Sequence, residues 1–557
     1  MKVVVVGAVA AGPKTASKII RLRPDTEVTV LDKGQFISFA GCGLPYYLSD
    51  VVTDRKELFS TPIGVPRDPA FFDKVKGVRV LTRTEALRID RKSRQVEAKN
   101  LQTGESLSLP YDKLVLATGA KPIIPPIPGI DHKKVFTLHS IEDCEAIRSV
   151  LANGSKKAVI IGGGLIGVET AEALVQKNSS VTIVEMLPQI LPVLDWEMAK
   201  LVELHIRSQG VDVRTETRAL EIAGTGDEIR CVRTNNGEIP AEFVILCVGV
   251  RPNVSLAKEA GLEIGGTGAI RVNRRMQTSD LDIYAVGDCA ESRNLVTGQP
   301  CYVPLGSTAN KQGRVAALNI AGLEDMFPGV LGSTVCRAFD FTVARTGLSE
   351  TQARDAGYDV VTCLVPGPDR AHYMPTAKLL MLKLVVDRAT GRLLGAQATG
   401  PGEAAKRIDV AATAITAGMT VDQVSKLDLS YAPPYAPAMD NLITASDVIR
   451  NKISGTMVGI TPMELRNKPA YSYFFLDVRS PGEVAKVALP GAVNIPLGML
   501  RDRVNEIPRD KEIVAFCQAS TRAYEAALIL RANGFDRVKV LDGGVAMWPY
   551  EKIGGKR

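Results

Sequence analysis

The feature that most constrains this chain is a pattern of strand, glycine-rich turn, helix and second strand ending in an acid, which occurs twice. The first copy runs from residue 3 to Asp32, and the second runs from residue 159 to Glu185. Strands that alternate with helices at this spacing predict parallel sheets covered by helices. The chain has 557 residues, too many for one core, so about three or four domains are expected.

The glycine-rich turns indicate what the two units bind. The second turn has glycine at all three positions of the pattern G-x-G-x-x-G, which lets a pyrophosphate approach the helix N-terminus and lets the helix pack on the strand. The first turn has Val9 at the middle position, but Asp32 strengthens the match because an acid there can bond a ribose hydroxyl. Two dinucleotide sites are therefore predicted. The residues assigned to the first are Gly7, Val9, Ala10, Ala11, Gly12, Asp32 and Lys33.

Glu185 also bears on the dinucleotide at the second site. Its carboxylate would repel a 2′-phosphate and accept a hydrogen bond from a free 2′-hydroxyl, so NADH is favoured over NADPH. The residues assigned to this site are Gly162, Gly164, Ile166, Gly167, Glu185 and Gly249.

Composition and charge exclude several classes of protein. The longest apolar runs are strand-sized, far below the roughly 20 residues of a membrane span. Met1 leads directly into a core strand rather than a signal peptide, so a cytoplasmic protein without membrane contact is expected. The net charge of +7 is dispersed, which does not indicate nucleic-acid binding but suits an anionic small-molecule substrate.

The nine cysteines form no CxxC pair and have no histidine spacing typical of a metal site, so no metal is expected. Most of these cysteines are expected to be buried, unreactive side chains. Cys42 differs because it lies between two glycines soon after the first nucleotide-binding unit. A C-x4-C dithiol could open a disulfide by itself, yet the positions at that spacing are Ile37 and Tyr47. Cys42 must therefore obtain its second sulfur from elsewhere.

Three further segments, each a strand ending in glycine, extend the pattern. They contain Ala117-Thr118-Gly119, Gly249 and Gly287-Asp288. Together with the two turns they resemble the FAD-dependent pyridine nucleotide-disulfide oxidoreductase family over about residues 1 to 450. The resemblance implies that the first unit binds FAD, with Asp288 on its ribitol, and that the second binds NADH. It also implies an interface domain through which two chains form a homodimer.

The resulting fold is α/β with two Rossmann-like domains, an α+β interface domain and a C-terminal α/β domain. The FAD-binding domain is predicted at 1–119 and 250–325, with the NAD-binding domain inserted at 120–249. The interface domain is predicted at 326–452, with strands at 378–386 and 395–400 and a helix at 408–417.

Residues 458–557 resemble a rhodanese domain. Cys517 ends a strand ahead of a predicted helix, where backbone N–H groups, the helix dipole and Arg522 can favour a thiolate. The spacing is C-x4-R, whereas the competing phosphatase loop is C-x5-R. Ser520 replaces a frequent glycine, and 485–489 lacks the usual Gly-His, which puts free thiosulfate turnover in doubt.

The segments Ser38–Tyr47 and Ser430–Tyr435 narrow the resemblance to coenzyme A-disulfide reductases and, with the rhodanese tail, to NADH-dependent persulfide reductases. In that family the single cysteine forms a mixed disulfide with coenzyme A, and two tyrosines of the opposite subunit line the site. The matching tyrosines are Tyr431 and Tyr373. The expected contacts to coenzyme A are Lys14, Lys18 and Arg21 on one helix face, Ser38 and Asn310; Gly41 stands where relatives usually have Asn.

The expected activity is reduction of coenzyme A persulfide, coenzyme A disulfide or polysulfide by NADH. Cys42, with a lowered pKa, attacks the sulfur–sulfur bond, Tyr431 protonates the leaving sulfur, and Cys517 carries sulfane sulfur. An NADH oxidase or peroxidase is one alternative, although the peroxidases have a histidine where this chain has Ala10. A sulfur carrier or redox sensor is another.

Overall fold

The computed structural model describes residues 1–152, 154 and 156–554. The predicted NAD-binding domain spans the omitted positions 153 and 155, and the predicted end of the rhodanese domain, 555–557, also lies outside the described residues. Within these ranges, no helix combines the length and the apolar character that a membrane crossing requires. The chain divides into two compact units, the first comprising Met1–Met186 and Thr217–Val330, and the second comprising Leu187–Glu216 and Leu331–Arg557.

A five-stranded parallel sheet forms the core around the first glycine-rich turn. Its central strands are rich in valine, because a parallel sheet covered on both faces buries the side chains on either side. The helix Ala11–Leu22 follows the turn, and the helix Gly306–Ile320 packs so closely on it that a side chain at Gly313 would lie 2.8 Å from the carbonyl oxygen of Ala11. The strands, in spatial order, are Ile283–Ala285, Lys113–Leu116, Lys2–Val6, Glu27–Leu31 and Arg79–Leu81.

The second glycine-rich turn belongs to another parallel sheet in the same unit. Its strands include, in spatial order, Ser180–Val184, Lys157–Ile161, Phe243–Leu246 and Val135–Phe136. The helices Ile141–Leu151 and Leu165–Gln176 accompany it. Both predicted Rossmann-like sheets are therefore present.

Smaller antiparallel elements complete the first unit. The short pair Ala120–Pro122 and Val250–Pro252 lies where the chain leaves and re-enters the first sheet. The other strands are Thr84–Asp90, Gln95–Asn100 and Ser106–Pro110 in one meander, Ala219–Thr225, Glu228–Thr234 and Gly237–Pro240 in a second, and the pair Ser292–Arg293 and Pro300–Cys301. The other helices are Leu44–Leu48, Pro69–Lys76 and Ser255–Glu259.

The second unit contains an antiparallel sheet and a parallel one. The antiparallel strands, in spatial order, are Thr334–Ala338, Phe341–Gly347, Leu393–Gly400, Leu379–Asp387 and Val360–Pro368. The helices with it are Trp196–Ser208, Glu350–Asp355, Ala404–Thr416, Val421–Val424 and Asn441–Ile453. The α+β character of the predicted interface domain is confirmed, with the predicted strands and helix shifted by a few residues.

The C-terminal sheet is parallel, as a rhodanese domain requires. Its strands, in spatial order, are Gly459–Ile460, Val538–Leu541, Glu512–Phe516, Tyr473–Asp477 and Val493–Asn494. The helices Pro462–Arg466, Pro481–Lys486 and Thr521–Ala532 flank it. Lys452, at the end of the preceding helix, joins this domain to the antiparallel sheet because its ammonium contacts both Asp542 and the carbonyl oxygen of Thr362.

Candidate active site

The first glycine-rich turn packs so closely on neighbouring backbone that Gly7 and Gly12 leave no room for a side chain. Gly7 has a φ of +110°, and a Cβ there would lie 2.1 Å from the carbonyl oxygen of Ala117. Gly12 is closed in the same way, 1.9 Å from the carbonyl oxygen of Gly7. Asp32 accepts the N–H groups of Ala8 and Gly34, at 2.7 and 2.8 Å, so this acid holds the turn in shape. Val9 is exposed and Lys33 points to solvent.

The second turn repeats this geometry. Gly162 has a φ of +106°, and a Cβ at Gly167 would lie 2.1 Å from its carbonyl oxygen. Glu185 is buried and accepts the N–H of Gly163 at 2.8 Å, as Asp32 does in the first turn. Gly164, by contrast, faces open space, and Ile166 is exposed beside it. The space above the middle glycine is where a dinucleotide pyrophosphate would lie.

Asp288, which is partly buried, and the buried hydroxyl of Tyr302 suit a flavin in the first unit. Burial raises the pKa of Asp288 to about 6, and no hydrogen bond from the described residues reaches its carboxyl group. The hydroxyl of Tyr302 is also buried without a partner in that part of the chain. Buried polar groups need hydrogen bonds, and a flavin ribitol would supply them. The residues present therefore fit FAD.

The predicted strand ends surround this position. Thr118 donates to the carbonyl oxygen of Asn253 at 2.6 Å, which closes the junction between the two dinucleotide folds. Gly119, Gly249 and Gly287 all have positive φ values, from +66° to +96°, which only glycine adopts without strain. The N–H of Gly287 donates to Gln312 at 2.8 Å, so a side chain that the sequence did not indicate sets the Gly287-Asp288 turn.

Cys42 is exposed and lies in a short turn, Gly41–Gly43, ahead of the helix Leu44–Leu48. Partial burial and the negative charges of Glu169 and Asp288 raise the pKa of its thiol. The sequence analysis expected a lowered pKa at Cys42. This expectation is wrong for the protein groups around the thiol, since they raise the pKa. The physical reason is that burial disfavours the thiolate and that the negative charges of Glu169 and Asp288, both distant in sequence, add to this effect.

The Cys144 thiol forms a hydrogen bond with the helix that follows Cys42. Its thiol donates to the carbonyl oxygen of Leu44 at 3.6 Å. The side chain is fully buried, and burial raises its pKa to about 12. It packs as a small apolar residue, and the absence of a second cysteine for Cys42 stays a prediction.

The helix Leu44–Leu48 is held by the helices of the second dinucleotide fold. The hydroxyl of Tyr47 donates to Glu145 at 2.7 Å, and Arg148 lies over the Tyr47 ring at 4.3 Å while also contacting Asp50. The segment that carries Cys42 therefore packs against both dinucleotide folds. The sequence alone did not indicate these contacts.

The predicted coenzyme A contacts of the first unit lie on its surface. Lys14 and Arg21 are exposed and Lys18 is half-buried on one face of the helix Ala11–Leu22. Asn310 is exposed and donates to the carbonyl oxygen of Gly306 at 2.8 Å. Ser38 is buried, and its N–H donates to the carbonyl oxygen of Ala8 at 2.7 Å, which ties the Cys42 segment to the first glycine-rich turn.

The two predicted tyrosines meet in the second unit. Desolvation, and after it the interaction with Tyr431, raises the pKa of Tyr373. The N–H of Ala371 donates to the carbonyl oxygen of Pro433, which joins the two segments that carry them. Both rings are more than half exposed. They form one exposed aromatic surface that could line a site for a substrate.

In the rhodanese-type loop, Cys517 is buried at the end of a strand and its carbonyl oxygen accepts the N–H of Val545 at 3.0 Å. Arg522 interacts electrostatically with the Cys517 thiol. The same guanidinium also donates to Glu483 through two bonds of 2.8 and 2.7 Å. Ser520 has a φ of +72°, which explains why glycine is frequent there, and its hydroxyl donates to the carbonyl oxygen of Leu541 at 2.8 Å.

These features define a class: a reductase with two dinucleotide folds, an exposed cysteine packed close to them, and a rhodanese-type domain. Residues 1–313 match the pyridine nucleotide-disulphide oxidoreductase family, 334–443 match its dimerisation domain, and 462–550 match the rhodanese-like domain. The chain belongs to the pyridine nucleotide-disulphide oxidoreductases, a family that uses FAD and NAD(P)H, with a rhodanese-like domain at its C-terminus. The resemblance seen in the sequence is confirmed.

Three known proteins are similar to this chain over most of its length. A Pyrococcus furiosus protein named NAD(P)H sulfur oxidoreductase (CoA-dependent) is 40% identical over 451 residues, which cover 81% of this chain and 99% of that protein. The structure of a NAD-dependent persulfide reductase from A. fulgidus has 46% identity and a TM-score of 0.94, covering 98% of this chain and 100% of that chain. Reduced Bacillus anthracis CoADR-RHD has 37% identity and a TM-score of 0.92, covering 98% and 97%.

Proposed function

We propose that this chain is an FAD-dependent NADH:persulfide reductase that acts on coenzyme A persulfide, polysulfide or coenzyme A disulfide. The observation that carries the proposal is one exposed redox cysteine, Cys42, beside a flavin-type site, in the same chain as a second sulfur site at Cys517. The names of the similar proteins, one CoA-dependent and one a persulfide reductase, support the same substrate class.

Cys42 is the attacking group in this mechanism. Its thiolate attacks one sulfur of the substrate, an S–S bond to Cys42 forms while the S–S bond of the substrate breaks, and the released thiol takes up a proton. Tyr431 of the opposite subunit donates that proton, and Tyr373 interacts with it. When bound, FAD and NADH supply the electron pair that cleaves the bond to Cys42. Lys14, Lys18 and Arg21 attract the phosphates of coenzyme A, and the exposed Asn310 and the buried Ser38 are further contacts.

Residues of the cofactor sites have supporting roles. The turns at Gly7–Gly12 and Gly162–Gly167 receive the two pyrophosphates, and Asp32 and Glu185 hold those turns and accept from the ribose. The buried Glu185 favours NADH over NADPH. We also propose that the active form is a cytoplasmic homodimer with the domain bounds given above, since the family's dimerisation domain matches residues 334–443.

Cys517 acts as a sulfane-sulfur carrier. Its thiolate takes the outer sulfur from a persulfide and later passes it to a thiol or towards Cys42. Fusion of the carrier to the reductase raises the effective concentration of persulfide at the flavin site.

Anaerobic turnover of NADH tests the proposal. Rapid loss of NADH with coenzyme A persulfide, abolished by Cys42→Ser, is expected. Turnover that requires oxygen would instead indicate an NADH oxidase, and no turnover at all would favour a sulfur carrier or redox sensor. Cys517→Ser should impair the use of persulfide more than the use of coenzyme A disulfide, and equal loss of both would contradict a separate carrier role.

A further inference from the structure

Glu483 is an acid in the Cys517 loop to which the motif C-x4-R gives no role. Its carboxylate receives both hydrogen bonds of the Arg522 guanidinium, at 2.8 and 2.7 Å. The Cys517 thiol also interacts electrostatically with Arg522 and adds to the effect of Glu483 in raising the pKa of this arginine. Arg522 therefore interacts with both a carboxylate and a sulfur.

Glu483 is held rigidly in this position. It is the last member of a capping box at the start of the helix Pro481–Lys486, and one of its oxygens accepts the N–H and the hydroxyl of Ser480 at 3.1 and 3.0 Å. The bonds to Arg522 lower the pKa of Glu483 to about 2. The carboxylate is consequently an anion at every pH at which the enzyme works.

Other cations near the loop are also engaged. Arg479 forms a buried bidentate pair with Asp477, at 2.6 Å for the shortest contact. The ammonium of Lys552 donates to the carbonyl oxygen of Val545 at 3.0 Å. Both arginines beside the loop thus have a carboxylate of their own, which weakens their attraction for a small dianion.

We propose that Glu483 sets the donor selectivity of the Cys517 site and favours organic persulfides over thiosulfate. Thiosulfate brings two negative charges to a loop whose arginine is already paired with Glu483, whereas a persulfide brings at most one on its sulfur pair. Glu483 is a positioning residue, since it acts through the charge and orientation of Arg522. The inference rests on the proposed role of Cys517 as a sulfur carrier.

The two donors react by the same bond changes. With a persulfide R–S–SH, the Cys517 thiolate attacks the outer sulfur, the new bond to Cys517 forms, the S–S bond of the donor breaks, and the thiolate R–S⁻ leaves. With thiosulfate the same attack releases sulfite, which takes both charges with it. Cyanide then removes the outer sulfur from Cys517 as thiocyanate and restores the thiolate. No external oxidant or reductant is consumed.

The experiment measures thiocyanate formation by the full-length flavoprotein with two donors, thiosulfate and glutathione persulfide. The wild type should prefer the persulfide. In Glu483→Gln, kcat/KM for thiosulfate should rise by about fivefold or more, because one unit charge near the donor is removed, while kcat/KM for the persulfide changes by less than about twofold. Glu506→Gln is the matched control, since Glu506 forms the same two-bond pair with Arg503 on the surface of this domain. It should alter neither value.

Glu483→Ala repeats the comparison with a side chain that cannot form a hydrogen bond to Arg522. Thermal unfolding verifies that each variant is folded. An unchanged ratio of the two donors in both variants, or an equal fall for both donors, would overturn the role of Glu483. Failure of the carrier role itself has a different signature: thiocyanate would form from the persulfide as fast in Cys517→Ser as in the wild type.

Discussion

Arg407 and Asp440 form an ion pair in the interior of the second unit, with a guanidinium nitrogen 2.9 Å from a carboxylate oxygen. Arg407 also donates to the carbonyl oxygen of Asp369 at 2.6 Å. Asp369 begins the segment that carries Tyr373, and Asp440 ends the loop that carries Tyr431. One buried arginine therefore anchors both tyrosine-bearing segments.

We expect Arg407→Ala to lower the free energy of unfolding by about 3–5 kcal/mol, because the change leaves Asp440 buried without its counter-charge. Reduction of coenzyme A disulfide should fall with it, as the tyrosines lose their support. Urea unfolding and NADH consumption provide the two measurements. Lys426→Ala, which breaks an exposed pair with Asp422 in the same domain, should cost less than about 1 kcal/mol. Equal stability of the two variants would contradict the anchoring role.

Cys144→Ser tests whether a second sulfur operates beside Cys42. Because the Cys144 thiol is buried, with a pKa raised to about 12 by burial, it has almost no thiolate near neutral pH. The variant should keep NADH-dependent disulfide reduction within about twofold of the wild type, while a serine hydroxyl can still donate to the carbonyl oxygen of Leu44. Loss of activity in a folded Cys144→Ser protein would show that Cys42 has a cysteine partner after all.

The pH dependence of Cys42 should respond to Glu169. The carboxylate of Glu169 contributes to the raised pKa of the thiol, so Glu169→Gln should lower this pKa and increase the thiolate fraction at neutral pH. The rate of alkylation of Cys42 by iodoacetamide, followed by peptide mass spectrometry, should then reach half of its maximum at a lower pH than in the wild type.

Glu142→Gln serves as the control for that profile, because Glu142 is exposed on a neighbouring helix. Its profile should coincide with that of the wild type. A shift of the Glu169→Gln profile to higher pH would refute the electrostatic explanation.

The glycines of the second turn should differ in what alanine does to them. A Cβ at Gly167 would lie 2.1 Å from the carbonyl oxygen of Gly162, so Gly167→Ala should distort the turn and destabilise the protein. A Cβ at Gly164 meets open space. Gly164→Ala should keep the stability of the wild type and raise the KM for NADH, because its methyl group enters the space reserved for the pyrophosphate.

Thermal unfolding and NADH titration separate the two effects. If both variants unfolded at the wild-type temperature and bound NADH normally, the proposed role of the turn would have to be abandoned.

Much of the architecture was predictable because its signals are local. Glycine spacing, strand composition and an acid at a strand end occur within short stretches, and these placed both Rossmann-like sheets and the rhodanese-like domain. The capping box Ser480-x-x-Glu483 was also visible as a local signal, and it could have drawn attention to Glu483. Its pairing with Arg522, 39 positions away, could not be read in this way.

The sequence by itself determined the family, the cofactor folds and the isolation of Cys42 from any neighbouring cysteine, since each depends on residue types at short, regular spacing. Only the tertiary structure decided the electrostatic surroundings of Cys42 and Cys517. Burial, Glu169 and Asp288 raise the pKa of Cys42, and Arg522 interacts with both Glu483 and Cys517. Electrostatic interaction depends on distance through space, and these groups come close only when strands and helices far apart in the chain have packed together.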